Sequence, residues 1–331
     1  AGLQIYGVAA HVSNCRFEAL VDGVVVRDGD GIHIVDNDFV GNAGNAVYID
    51  RENAGTNGAL TPAFDGTIIS RNRIDTVTQA DPSSTGWEGN GVLLLKTADV
   101  HVTDNVIKGC ALSAIRANLC TDTVITGNSC RAIGETAIYM ESIFGGITNL
   151  ATGHGAVVTG NVVDDAATGV TLANFNFGGR LGVVHGNLLR NLTVKTVAAG
   201  TANQYSTGGT GVIVEGDVSV NGNVVESAAR IGIVLGTNDF TDDLACTDNL
   251  IRYAPIGIGF ANTTQVGGRD AQIFIASNMV SHYTNDAGHG AIVPVGYTDA
   301  TGYTRGSGAD LGQADTSTTY TYVRVDRNRC F

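Results

Sequence analysis

The sequence predicts an all-β solenoid, a parallel β-helix of about eleven rungs in a single elongated domain over residues 1–331. Three observations predict it. A short phrase recurs along the chain: alternating apolar residues, a turn, then Asn and more apolar residues. Its instances are HVSNCRF (Asn14), HIVDNDF (Asn37), IISRNRI (Asn72), HVTDNVI (Asn105), VITGNSC (Asn128), VVTGNVV (Asn161), VVHGNLL (Asn187), SVNGNVV (Asn223), ACTDNLI (Asn249), FIASNMV (Asn278) and VRVDRNRC (Asn328). A second strand recurs between these phrases, as in NAVYID (45–50), GVLLLK (91–96), SAIRAN (113–118) and TAIYME (136–141). Finally, Gly numbers 45 and Pro only 4, a composition suited to short strands joined by tight turns. A repeat of roughly 20–35 residues built from strands marks a solenoid.

Each element has a physical reason. In the second strand, alternation sends every other residue inward. Val47, Ile49, Ile115, Ile138, Met140, Val170, Leu172, Val212 and Val214 are the expected core. The recurring Asn falls at a turn, where stacked amides are expected to bond from rung to rung as an internal ladder. Successive Asn residues lie 23 to 50 apart, so the minimal coil is near 23 residues and the excess is loop. The loops expected are 50–65, 75–90, 141–155, 174–181, 191–210, 236–243, 261–270 and 295–319. No amphipathic helix pattern opens the chain, and solenoid ends need covering. A preceding capping segment, or a partner chain over that end, is expected.

Composition narrows the function. The net charge of −13 argues against nucleic acid, whose binding needs a basic stripe. It also disfavours polyanions unless a divalent cation intervenes. There is no apolar run long enough to span a membrane. Cys15, Cys110, Cys120, Cys130, Cys246 and Cys330 show no metal-binding spacing and read mainly as small buried hydrophobes. A disulfide among Cys110, Cys120 and Cys130 is compatible with neighbouring rungs. No cofactor is required by any motif. Asp28, Asp30, Asp36 and Asp38 form an acidic cluster that could take Ca²⁺, although a solvated turn is the simpler reading.

The outward residues of the second strand are expected to line a groove. Its polar density lies between residues 48 and 141: Tyr48, Asp50, Lys96, Arg116, Asn118, Tyr139 and Glu141, flanked by Arg51 and Trp87. Such a mixture of aromatics and charges suits a polysaccharide. Asp50 and Glu141 are three rungs apart, roughly 14 Å, too far for a glycosidase pair. Glu141 and Glu215 are two rungs apart, roughly 10 Å, at the edge of the range for an inverting hydrolase. Lys96, Arg116 and Tyr139, read as three successive rungs, suit a lyase or epimerase acting on a uronic acid. A cation neutralises the sugar carboxylate, and Tyr or Lys moves the proton. Tyr139 needs Arg116 nearby to act as a base near neutral pH.

Residues 113–192 carry a more specific signal. SAIRANLCTDTVITGNSCRAIGETAIYMES and GAVVTGNVVDDAATGVTLANFNFGGRLGVVHGNLLRNL resemble the twin-arginine-translocated uncharacterised repeat proteins of alphaproteobacteria. WEGNGVLLLKTADVHVTDNVIKGCALSAIR fits the same pattern. The resemblance implies a right-handed parallel β-helix, export as a folded protein to the periplasm or beyond, and a missing N-terminal signal segment. It carries over no catalytic residues. Asn174, Asn176 and Arg180 belong to its most specific motif and are expected to shape a substrate-contacting loop or to pin a corner.

The leading expectation is an exported polysaccharide lyase or epimerase using Lys96, Arg116, Tyr139 and Glu141, with Tyr48, Asp50, Arg51, Trp87 and Asn118 as substrate contacts. The alternatives are a glycan-binding or structural surface module, which could be oligomeric, and an inverting hydrolase using Glu141 and Glu215.

Overall fold

The computed structural model describes residues 1–7, 9–50, 63–81, 87–141, 155–173, 181–195, 208–236, 243–261, 272–285, 289–298, 302–305 and 322–331. Arg51, Asn174, Asn176 and Arg180 lie outside them. Among the described residues there is no helix.

Each full rung supplies three strand segments. The first carries the triplet before the Asn turn, as in Thr123–Thr126 and Ala156–Thr159, and these segments stack into an 11-stranded parallel sheet. The second follows the Asn, as in Val106–Cys110 and Leu188–Leu192. The third is the recurring second strand of the sequence, as in Val47–Asp50, Val92–Leu95 and Ile115–Asn118. Two strands, Ser129–Glu141 and Val162–Ala173, run through the corner and join the second and third segments. Pairing is parallel from rung to rung, and a hairpin between Gly290–Thr298 and Gly302–Arg305 is antiparallel. A parallel β-helix follows, with each rung depending on its neighbours for its backbone hydrogen bonds.

The interior is one apolar column running from Ile5 to Val280. All nine residues expected inward on the third segment are at most 1% exposed. The column stays apolar because equivalent positions stack: Val24, Val47, Val92, Ile115, Ile138 and Val170 lie in register.

The Asn ladder forms as a continuous chain of buried amides from Asn37 to Asn278, closing on Asn328. From Asn72 onward, each Oδ1 accepts both the backbone N–H and the side-chain Nδ2 of the preceding rung's Asn. At Asn128, for example, the two donor distances to Asn161 Oδ1 are 2.9 and 3.0 Å. Each Nδ2 also donates to a backbone carbonyl, as Asn161 does to Ile125 at 3.0 Å. No amide of the ladder is then left unpaired, which is what a polar column beside an apolar core requires.

One rung departs from the sequence pattern. His11 pairs with His33, so Asn14 is level with Asp36 and not with Asn37. Both Asn14 and Asp36 adopt the left-handed turn, at φ 54° and 58°. The ladder position in the first rung belongs to Cys15, whose N–H donates to Asn37 Oδ1 at 3.0 Å. Asn was read into the ladder because it sits one residue early in a turn that also favours Asn.

All six cysteines are free thiols, so no disulfide links Cys110, Cys120 and Cys130. Four are buried, and Cys15 and Cys330 are exposed. Burial pushes Cys120 up to about 11 and Cys130 up to about 12.

Candidate functional site

The outward residues of the third segment stack in the order Val25, Tyr48, Leu93, Arg116, Tyr139 and Thr171. Strand alternation predicts this direction correctly. It does not predict the surroundings: Val25 is 3% exposed, Leu93 1% and Arg116 7%. The outward face is therefore not an open groove, and its polar residues form a largely enclosed cluster.

Arg116 is the centre of that cluster. Its Nη2 and Nε donate to Glu141 Oε1 at 2.7 and 3.0 Å. Its Nη1 donates to Glu135 Oε2 at 3.3 Å. Its guanidinium carbon lies 4.7 Å from the centre of the Tyr139 ring, a cation–π contact. Asn118 Nδ2 adds a bond to Glu141 Oε1 at 2.8 Å. Arg116, Tyr139, Asn118 and Glu141 meet because Arg116 pairs with Tyr139 and Asn118 with Glu141 on adjacent strands.

Glu135 is the member that sequence reasoning missed. It precedes the recurring strand, at a register irregularity between Ile133 and Thr136. It also ends a second polar column, at the corner between the second and third segments. There Asn45 N–H donates to Asp22, Asn90 N–H to Asn45 Oδ1, Ser113 N–H to Asn90 Oδ1, and Ser113 Oγ to Glu135. The polar residues heading successive copies of the strand, Asn45, Asn90 and Ser113, marked this column, but their counterpart in the next rung is Thr136, so the repeat does not point to Glu135.

Electrostatics follow from enclosure. Burial raises the Glu135 carboxyl above its ordinary value, with Arg116 opposing and Glu141 reinforcing the rise. Burial acts against the Arg116 charge, but Glu135 and Glu141 together more than offset it and raise its pKa. Tyr139 is pushed well above the usual phenol value by burial and then by Glu141, and Arg116 does not reverse this. The phenol therefore keeps its proton near neutral pH, contrary to the expectation that Arg116 would make it a base.

The other expected residues fall elsewhere. Lys96 is not in register with Arg116; Leu93 is. Lys96 occupies a left-handed turn residue after the strand, at φ 55°. Tyr48 and Asp50 form a separate cluster with Arg27, two rungs from Arg116 and beyond Leu93. Tyr48 Oη donates to Asp50 Oδ2 at 3.1 Å, and Arg27 Nη1 lies 3.8 Å from the same oxygen. Trp87 is 50% exposed and holds Asn45 Nδ2 through its carbonyl at 2.8 Å. Glu215, 4% exposed, follows Val214, which lies two rungs from Met140. Among the described residues, no three His, Cys, Asp or Glu side chains are grouped to hold a metal ion. In the acidic cluster, Asp36 is engaged by Arg71 through two bonds of 2.8 and 2.9 Å.

This architecture defines a parallel β-helix protein with a buried Arg–carboxylate cluster on one outer face. Residues 1–191 match the right handed beta helix region family, and the chain belongs to that family. No curated protein sequence matches it. Among solved structures, it is similar to the catalytic domain of a GH87 α-1,3-glucanase determined with tetrasaccharides. That likeness has a TM-score of 0.53 and 12% identity, and covers 98% of this chain. The chain spans 62% of the length of that glucanase domain. It is also similar to PfbA, a surface adhesin of Streptococcus pneumoniae, at TM-score 0.47 and 12% identity over 91% of this chain and 65% of that one. An exopolygalacturonase from Thermotoga maritima aligns at TM-score 0.41 and 12% identity, over 90% of this chain and 82% of that one. At these identities the likeness is one of fold.

Proposed function

We propose that the chain is an exported carbohydrate-active β-helix protein that hydrolyses a glycosidic bond at the Arg116 cluster. The observation that carries this reading is the placement of Glu135 and Glu141 on either side of one guanidinium. Two acids one guanidinium apart are on the scale of the about 5–9.5 Å that separates glycosidase pairs. Glu135, whose burial favours the protonated form, is the proton donor to the leaving oxygen. Glu141 is the acceptor that activates water or attacks the sugar. Asn118 and Arg116 fix its orientation. The resemblance in fold to a glucanase domain solved with tetrasaccharides supports a glycan as the substrate class. The likeness of residues 113–192 to twin-arginine-translocated proteins supports export to the periplasm or the exterior.

Elimination from a uronic acid has weaker support. Arg116 is occupied by two carboxylates and does not offer its charge to a third. Tyr139 holds its proton too tightly to act as a base. With a net charge of −13, a neutral glycan is the better match. The low exposure of the Arg116 and Glu141 side chains, 8% and 13%, favours as a second reading a surface module in which the cluster only braces a binding face.

The test is a product assay over neutral and uronic-acid polysaccharides. Reducing ends without ultraviolet-absorbing unsaturated sugars support hydrolysis. Unsaturated products lost in Tyr139→Phe overturn it in favour of elimination. Neither product, with a rise in melting temperature on adding a glycan, overturns it in favour of binding alone.

A further inference from the structure

The second strand segment presents two parallel outward ladders on one flat face. The first reads Val162, Leu188, Val224, Leu250 and Met279 over five successive rungs. Val162 and Met279 are 37% and 38% exposed, and the three between them are partly exposed. Two residues further along each strand, the second ladder reads Arg131, Asp164, Arg190, Glu226, Arg252 and Ser281. An aliphatic stripe thus runs beside a column of alternating charge.

We propose that this face binds a second copy of the chain, with the two solenoids antiparallel. The twofold axis lies along the strands, midway between the rungs of Arg190 and Glu226. A closed dimer uses the same patch on both copies, so the patch must complement itself. Rotation about this axis reverses the order of rungs and keeps each ladder on its own counterpart. Arg190 then faces Glu226 of the second copy, and Asp164 faces Arg252. Leu188 meets Val224, and Val162 meets Leu250. Arg131 meets Ser281, so no like charges are opposed. Both copies share the rung spacing of about 4.8 Å, so the match holds along the stripe.

Other placements oppose like charges or make fewer charge pairs. An axis one rung later keeps Glu226 against Arg252 but sets Arg190 against Ser281 and leaves Asp164 without a charged counterpart. An axis through the Arg190 rung sets Arg190 against itself. An axis one rung earlier opposes Lys108, next to Arg131 on the ladder, to Arg252. An axis parallel to the solenoid sets the charged ladder against itself rung for rung, or against the aliphatic ladder. Charge complementarity therefore favours this register, which makes the most opposite-charge pairs, and the aliphatic stripe supplies the apolar contact. Within its own chain Asp164 is bonded by Arg190 and Asn191, which fixes its carboxylate for the contact.

Sedimentation velocity of the full chain over a range of concentrations tests this, with thermal melting as the check on folding. The wild type is expected to dimerise. Leu188→Glu is expected to raise the dimer dissociation constant about tenfold or more without lowering the melting temperature. Asp164→Lys and Arg252→Glu each weaken the dimer, and the double variant restores it. Asp164 and Arg252 are three rungs apart in one chain, so rescue requires the antiparallel register. If Leu188→Glu fails to fold, the charge swap decides alone. A monomer at every concentration, a dimer indifferent to these changes, or single reversals without rescue overturns the proposal.

Discussion

Glu135 Oε2 lies 3.3 Å from Arg116 Nη1, while Glu141 Oε1 holds the other arm of the same guanidinium at 2.7 Å. Two acids and one cation in an enclosed site carry an excess negative charge, which a proton on Glu135 removes. Glu135 thereby acquires both a structural and a chemical role.

Arg116→Ala removes the cation and leaves two buried acids, Glu135 and Glu141, without a counter-charge. The expected cost is about 3–5 kcal/mol, read from urea unfolding at neutral pH. A loss under 1 kcal/mol would show that water already screens the cluster.

The Glu135 proton has a linkage consequence. Its folded pKa lies above the unfolded value, so the folded state binds this proton more tightly. The group's contribution favours folding below the unfolded carboxyl pKa. It is lost as pH rises through that value towards the raised folded one. Glu135→Gln is expected to flatten the stability–pH curve over that window, and an unchanged slope contradicts the assignment.

Cys15 occupies the place that Asn holds in the ten rungs after it. Cys15→Asn is expected to extend the amide ladder by one Nδ2 bond to Asn37 Oδ1, stabilising the fold by about 1 kcal/mol. Interrupting the ladder should do the reverse. Asn161→Ala strands the donors of Asn128 and costs about 2–4 kcal/mol, measured by the shift in denaturation midpoint.

Asn42 is fully buried, and neither side-chain amide atom has a partner. It stacks on Val77 in the next rung. Asn42→Val is expected to stabilise the protein by about 1–3 kcal/mol, checked by the melting temperature. Destabilisation would mean that the amide has a partner such as buried water.

The fold was legible because it is written many times. Val47, Ile49, Ile115 and Ile138 repeat one alternation, and errors in any single rung cancel. Asn14 was misplaced because only its own turn could reveal a slip of one residue. The site was half legible. Alternation placed Arg116, Asn118, Tyr139 and Glu141 on one face, but it gives direction and not environment, so their burial was unseen. Burial then reversed the expected chemistry of Tyr139. Glu135 lay off the strand register, where no periodicity reaches.

The most direct test of the central claim is the release of reducing ends from a neutral glycan by wild type, Glu135→Gln and Glu141→Gln across pH. The account predicts that both variants lose activity by about 10²-fold or more, and that Glu135→Gln abolishes the alkaline limb of the residual profile. Wild-type rates and an unchanged alkaline limb in Glu135→Gln would contradict it.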